Sequence, residues 1–132
     1  ALLEDADSRR IEGREILSGH VERMRELYAQ IYLEKHPAAL NPRYETAFFE
    51  LLLRSPEFSA SGWLDDKGNL EAFNIQHASA GMVHWSACGY EMRAPADRGL
   101  FRIVMAHDIQ EARRGGHVLN WGAGNGPFKR YR

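Results

Sequence analysis

The sequence predicts an α+β domain built on a mixed, mainly antiparallel sheet flanked by helices. Three observations carry that prediction. Apolar side chains recur at helical spacing in two segments before Pro56. Between Phe58 and Met92 the period shortens, and three strand-like runs follow one another across short polar turns. A long helical run then stops at Gly115-Gly116 and is followed by a short apolar run. Consecutive strands with short connections read as an antiparallel meander, whereas a strand, a crossover helix and a strand favour a parallel pair.

The elements follow in order. Residues 1–15 are mostly polar, and 9–13 read as a short edge strand. Ser18 is placed to cap a first helix, because its hydroxyl can accept from an orphan amide of the first turn. Val21, Met24, Leu27, Tyr28 and Ile31 form one apolar face, with Glu22, Arg23, Arg25 and Glu26 on the other. His36-Pro37 ends this helix, since the residue before proline disfavours the helical region. Asn41-Pro42 reads as the start of a second helix, with an Asx cap and proline in the first helical position. Its apolar stripe is Tyr44, Phe48, Leu51 and Leu52, broadened by Phe49 and Leu53, and Ser55-Pro56 stops it. Strands are expected at 59–64, 70–77 and 82–92, joined by Asp65-Asp66-Lys67-Gly68-Asn69 and Ala78-Ser79-Ala80-Gly81. Asp97 is placed to cap the last helix, 99–114. Its apolar residues Leu100, Phe101, Ile103, Val104, Met105, Ile109 and Ala112 nearly encircle it, so it is expected to be buried against the sheet. Residues 118–121 form the final strand.

Composition bounds the function classes. The 132 residues suit one domain, and no internal repeat, linker or low-complexity segment divides them. A formal net charge of -1 gives no general attraction to DNA or to an anionic membrane, although Lys129, Arg130 and Arg132 form a local basic cluster. No apolar run approaches the ~20 residues of a membrane span, and the N-terminus has no signal-peptide core. The chain begins at Ala1 rather than methionine, which fits a processed product or a piece of a longer protein. The single cysteine, Cys88, excludes an internal disulfide and fits a cytoplasmic location. It reads as a small buried hydrophobe within a strand; as a nucleophile it would need an activating base, and none is identifiable. Six histidines include no pair at metal-binding spacing, so no metal site is expected.

The chemistry concentrates in the last third, RGLFRIVMAHDIQEARRGGHVLNWGAGNGPFKRYR. A helix, a strand, Gly-x-Gly and a lysine in that order suggest backbone amides and a cation meeting an anionic ligand. Arg98, Gly99 and Leu100 stand at a helix N-terminus, where unpaired amides and the positive end of the dipole favour anions. Gly122, Gly124 and Gly126 allow tight turns with exposed amides. Asn125 is placed to donate to a carbonyl, and Lys129 to neutralise a phosphate or a developing oxyanion. The plain alternative for this segment is a solvated C-terminal loop. His84 and Tyr90 share a parity on the third strand, and Glu71 and His77 share one on its neighbour. These four are acid–base candidates, against the alternative of satisfied or surface side chains. His107, seven residues after Leu100 on the same helix face, reads as a satisfied core or interface histidine.

The segments LYAQIYLEKH with NPRYETAFFELLL, the helix LFRIVMAHDIQEARRGG, and the ending LNWGAGNGPFKR together resemble the GNAT acetyltransferase fold. Within it they are similar to the FemAB-like and CelD-like acyltransferases of bacterial cell-wall and exopolysaccharide synthesis. The resemblance implies transfer of an acyl group from acetyl-CoA or another acyl-CoA to an amine or sugar acceptor, both small molecules. It implies a donor arm paired with the backbone of Gly89, Tyr90, Glu91 and Met92, and phosphates near Arg98, Gly99 and Leu100, with Asn125 beside them. His84, Tyr90 and Lys129 become the catalytic candidates. FemAB-like proteins use two such lobes, which implies a second lobe or a homodimer partner. GNAT proteins usually carry Gln/Arg-x-x-Gly-x-Gly/Ala before the cofactor helix. Here Arg93-Ala94-Pro95-Ala96-Asp97-Arg98-Gly99 keeps the arginine but places alanine and arginine where glycines usually sit. Two other readings stay open: an aminoacyl-tRNA-dependent transferase, and a noncatalytic binding or assembly domain. The transferase reading requires a wedge between the third meander strand and the strand at 118–121.

Overall fold

A computed structural model describes residues 2–122. The chain runs α1 (Leu2–Ser8), β1 (Arg10–Glu12), α2 (Gly13–Gly19) and α3 (Val21–Ala29), which continues into a π-helical stretch, Gln30–Glu34. Then come α4 (Thr46–Arg54), β2 (Phe58–Leu64), β3 (Leu70–Ser79), β4 (Met82–Tyr90), a 3-10 turn (Ala96–Arg98), α5 (Leu100–Gly115) and β5 (Val118–Asn120). The sheet order is β1-β2-β3-β4-β5, antiparallel through β4, with β5 joining β4 in parallel after the α5 crossover. This is the expected α+β architecture, including the edge strand near residue 10 and the parallel pair.

Two cores form, one on each face of the sheet. Ile16, Met24, Leu27, Phe49, Phe73 and Ile75 join α2, α3 and α4 to one face. Trp63, Ala72, Cys88, Leu100, Ile103 and Val104 join α5 to the other, with Ala6 of α1 at their edge. Gly89 lets α3 lie close on β4. A Cβ there would stand 2.4 Å from Phe73 Cε1 and 2.8 Å from the Leu27 carbonyl carbon.

Several local expectations are corrected. Residues 2–8 are helical, and the small side chain of Ala6 is what that short helix buries. Ser18 is not a cap: it lies inside α2, and its hydroxyl donates to the Glu15 carbonyl, 2.9 Å away. Glu12 caps that helix instead, in a reciprocal box with Glu15. Asn41-Pro42 does not start a helix, because α4 begins only at Thr46. The segment before it is a strap, held where the Asn41 amide donates to the Tyr32 carbonyl and the Tyr28 hydroxyl donates to the Pro42 carbonyl. Tyr44, within the strap, stacks on Phe48 with ring centroids 3.7 Å apart. Leu51 is 66% exposed, so the buried face of α4 centres on Phe49. Asp97 does not cap α5. Gly99 does so with φ 59, a left-handed conformation that glycine adopts at little cost. Gly116, with φ 65, closes the other end as expected. Among the described residues no helix is long and apolar enough to cross a membrane.

Candidate functional site

Two β-bulges decide which side chains meet. In the β3–β4 ladder, Gln76 pairs with Trp85 and Ile75 with Ala87, so Ser86 is an extra residue. An inserted residue reverses the alternation beyond it. His84, opposite His77, therefore faces the α3–α4 side, while Tyr90, opposite Ala72, faces α5. The expected shared face of His84 and Tyr90 is overturned. They also stand six residues apart along β4, roughly 20 Å at ~3.3 Å per residue, too far to act on one atom. A second bulge leaves Glu71 without a partner between the pairs Trp63–Ala72 and Leu64–Leu70. It turns Glu71 toward Arg9 and Arg98, away from the face that carries His77.

β5 covers only the beginning of β4. The pairs are Met82–Val118, Val83–Leu119 and His84–Asn120. Past His84 the described residues place no neighbouring strand on that edge. The Glu91 amide donates to the Glu71 carbonyl at 2.8 Å, which directs the alternate backbone groups, those of Tyr90, toward the open edge. His84 thus stands at the fork. Gly122 N donates to Asn120 Oδ1 at 2.9 Å, which turns Asn120 Nδ2 to His84 Nδ1, 3.3 Å away. Nδ1 accepts, so the neutral ring carries its proton on Nε2.

At the far end of β4 lies a cavity of about 340 Å³, lined by Tyr90, Glu91, Met92, Gly99, Leu100, Phe101 and Arg102 among others. The first intrahelical bond of α5 runs from Ile103 N to the Gly99 carbonyl, so the amides of Leu100 and Arg102 have no intrahelical acceptor. Arg102 is an exposed cation on the lining, and sequence reasoning passed it over for Arg98. The structure does not bring Arg98 to this lining. Its guanidinium bonds the buried Glu71 carboxylate, which also takes Arg9 at 2.5 Å. Gly89 is likewise occupied, by the close approach of α3. Asn125 and Lys129, with Gly124 and Gly126, lie outside the described residues.

The loop between β4 and α5 is fixed from within. Gln30, buried on the π-helical stretch, accepts from Met92 N at 2.9 Å and donates to Glu91 Oε2 at 3.1 Å. Arg23 adds a bond to Glu91 at 2.6 Å, and Glu91 Oε1 accepts from Arg93 N. Burial pushes the Glu91 carboxyl up, but these hydrogen bonds outweigh it and hold it below its ordinary range. Ala94, Arg98 and Gly99 donate to carbonyls of the same loop. Within this loop few amides remain to meet a diphosphate, which suits the absence of the usual glycines and leaves that role to the first amides of α5. Burial raises the Tyr90 hydroxyl, so it stays protonated at neutral pH. Cys88 is buried beside the Tyr32 hydroxyl. Among the described residues no three His, Cys, Asp or Glu side chains converge to hold a metal.

Residues 2–130 match the family described as "Acetyltransferase (GNAT) domain". No curated protein matches the chain. Among solved structures, a mutant of the BH1408 protein from Bacillus halodurans aligns with TM-score 0.66 and 12% identity, covering 92% of this chain and 87% of that one. A ribosomal-protein-alanine N-acetyltransferase from Brucella melitensis biovar Abortus 2308 aligns with TM-score 0.54 and 16% identity, covering 93% and 84%. An aminoglycoside N-acetyltransferase in complex with CoA aligns with TM-score 0.56 and 13% identity, covering 93% and 80%. At these identities the likeness is one of fold.

Proposed function

Because the chain belongs to the GNAT acetyltransferase-domain family, we propose that it transfers an acyl group from an acyl-CoA, acetyl-CoA first among them, to a small amine or sugar acceptor. The carrying observation is the cavity at the N-terminus of α5, lined by Tyr90 at the end of the β4 edge that β5 leaves uncovered. When bound, acyl-CoA supplies a thioester as the activated acyl group. The residues fit such a donor: Arg102 and the α5 amides would hold phosphate, and the outward backbone of Tyr90 would hold the amide-bearing arm. His84 presents Nε2–H at the fork, which suits it to donate a hydrogen bond to the thioester or its departing thiolate rather than to act as the base. Tyr90 serves as a wall of the donor cavity. Lys129 and Asn125 remain proposals for the acceptor side. On this reading the chain is a single GNAT domain, paired with a second lobe or copy, of the FemAB-like and CelD-like kind that serves cell-wall or exopolysaccharide synthesis.

Isothermal titration with CoA and acetyl-CoA tests the donor. Saturable binding is expected, weakened about five- to tenfold in Arg102→Ala and further by salt, as for an exposed charge meeting phosphate at ~1 kcal/mol or more. No heat with either ligand removes the CoA reading. A second reading draws on the internally bonded loop 91–99: an aminoacyl ester of tRNA, a donor with no diphosphate to cradle. Aminoacyl-tRNA consumption without CoA binding would favour it.

A further inference from the structure

Under the C-terminal half of α5, against β1, β2 and β3, lies a separate cavity of about 230 Å³, lined by Arg10, Ser61, Asn74, Gln76, His107 and Glu111 among others. From Leu100 to Glu111 is eleven residues of helix, about 16 Å at 1.5 Å each, so this cavity stands well away from the donor cavity. Its volume equals that of about eight waters at ~30 Å³ apiece, or one small metabolite.

The polarity of its floor is fixed by a carboxyl group behind it, whose Oδ1 accepts in either protonation state. Asp108 is fully buried, and Asn74 and Gln76 are nearly so. The amide nitrogens of both Asn74 and Gln76 donate to Asp108 Oδ1. An amide is planar, with its oxygen opposite its nitrogen, so a carboxyl oxygen that holds the N–H ends inward turns Asn74 Oδ1 and Gln76 Oε1 away from itself. Neither oxygen has a protein partner among the described residues, and both side chains line the cavity. The histidine beside them is also oriented. Arg10 Nη1 stands 3.4 Å from His107 Nδ1, so Nδ1 accepts and Nε2–H donates to Ser61 Oγ at 3.1 Å. The Ser61 hydroxyl proton is left to be donated. At the rim, Arg10 is paired with Glu12 at 3.5 Å and Arg114 with Glu111 at 2.6 Å, so no cation stands alone there. The floor therefore asks its ligand for hydrogen-bond donors, and the Glu111 carboxylate, bonded to Arg114 through Oε1, keeps further acceptor sites at the rim.

We propose that this cavity is a second ligand site, which takes a small molecule bearing a primary ammonium flanked by hydroxyl groups. The ammonium donates to Asn74 Oδ1, Gln76 Oε1 and the Glu111 carboxylate, and a ligand hydroxyl accepts from Ser61. No acyl transfer is involved, so the site stands whether or not the transferase reading does.

The test is a ¹H–¹⁵N NMR titration of the full chain with serinol and with glycerol, which differ only in an ammonium replaced by a hydroxyl. The side-chain amide signals of Asn74 and Gln76 should shift saturably with serinol, with an affinity at least tenfold above that for glycerol. Asp108→Leu should abolish that preference, because it removes the acceptor that holds both amide nitrogens inward. Should that variant fail to fold, Glu111→Gln at the exposed rim should weaken serinol severalfold while leaving other signals in place. Absence of saturable shifts, an equal response to both probes, or shifts confined to other residues would overturn the proposal.

Discussion

Asp108 gives the protein a stability that falls as pH rises, and Asp108→Asn isolates that effect. Burial pushes the carboxyl from 3.8 up to about 7, against the opposing hydrogen bonds from Gln76, Asn74 and Trp121. An acid whose folded value lies above its unfolded one binds more protons in the native state between the two. The native state is therefore favoured most below pH ~4, and the advantage is lost by pH ~7. About 3 pK units at 1.36 kcal/mol each amount to roughly 4 kcal/mol. His107 works in the opposite sense. Burial holds it below 6.5, so its contribution to stability is lost as pH falls through that range. The raw pH curve mixes the two, and the difference between wild type and Asp108→Asn removes His107. Urea unfolding at half-unit steps from pH 4.5 to 8 measures it. The wild-type-minus-variant difference should fall by roughly 3–4 kcal/mol up to pH ~7.5 and then level off. A flat difference, or one that rises with pH, would refute the assignment of Asp108 as a carboxyl protonated by its surroundings.

Two further outcomes follow from the packing around β4. Gly89→Ala should lower stability by about 1–3 kcal/mol in the same assay, since its Cβ meets both Phe73 and the α3 backbone. Gln30→Ala removes two of the bonds that pin the end of β4, at a cost of about 1–2 kcal/mol. Hydrogen exchange at the Met92 amide should quicken and CoA affinity should drop, while Arg102→Ala leaves Met92 exchange unchanged.

Where one residue type has a single structural use, the sequence was a good guide. Gly115-Gly116 stops α5, Ser55-Pro56 stops α4, and Asp65 to Asn69 makes the first meander turn, with the Asp65 carboxylate accepting from Lys67 and Asn69 amides. Asn41-Pro42 misled because the same residues that open a helix also make a strap. Only the aromatic side chains of Tyr28, Tyr44 and Phe48, brought together in three dimensions, decide between the two. Arg98 and Arg102 illustrate the same limit. Both flank the start of α5, and Arg98 is diverted by a buried acid 27 residues earlier, Glu71. Nothing local to Arg98 announces that partner, since Glu71 faces it only through a bulge.

The bulges were the least legible feature and the most consequential. Ser86 looks like any exposed strand residue, yet β5 pairing ends at His84 and the extra residue follows two positions later. A bulge bends its strand and increases the local twist. The second half of β4 is therefore turned relative to the first, and a parallel neighbour that starts in register with Met82 cannot follow it. The extra residue also sends Tyr90 to the α5 face, beside the donor cavity, and leaves His84 on the other face at the apex. One inserted residue both bends β4 past its last β5 pair and separates the two side chains that simple alternation would have placed together.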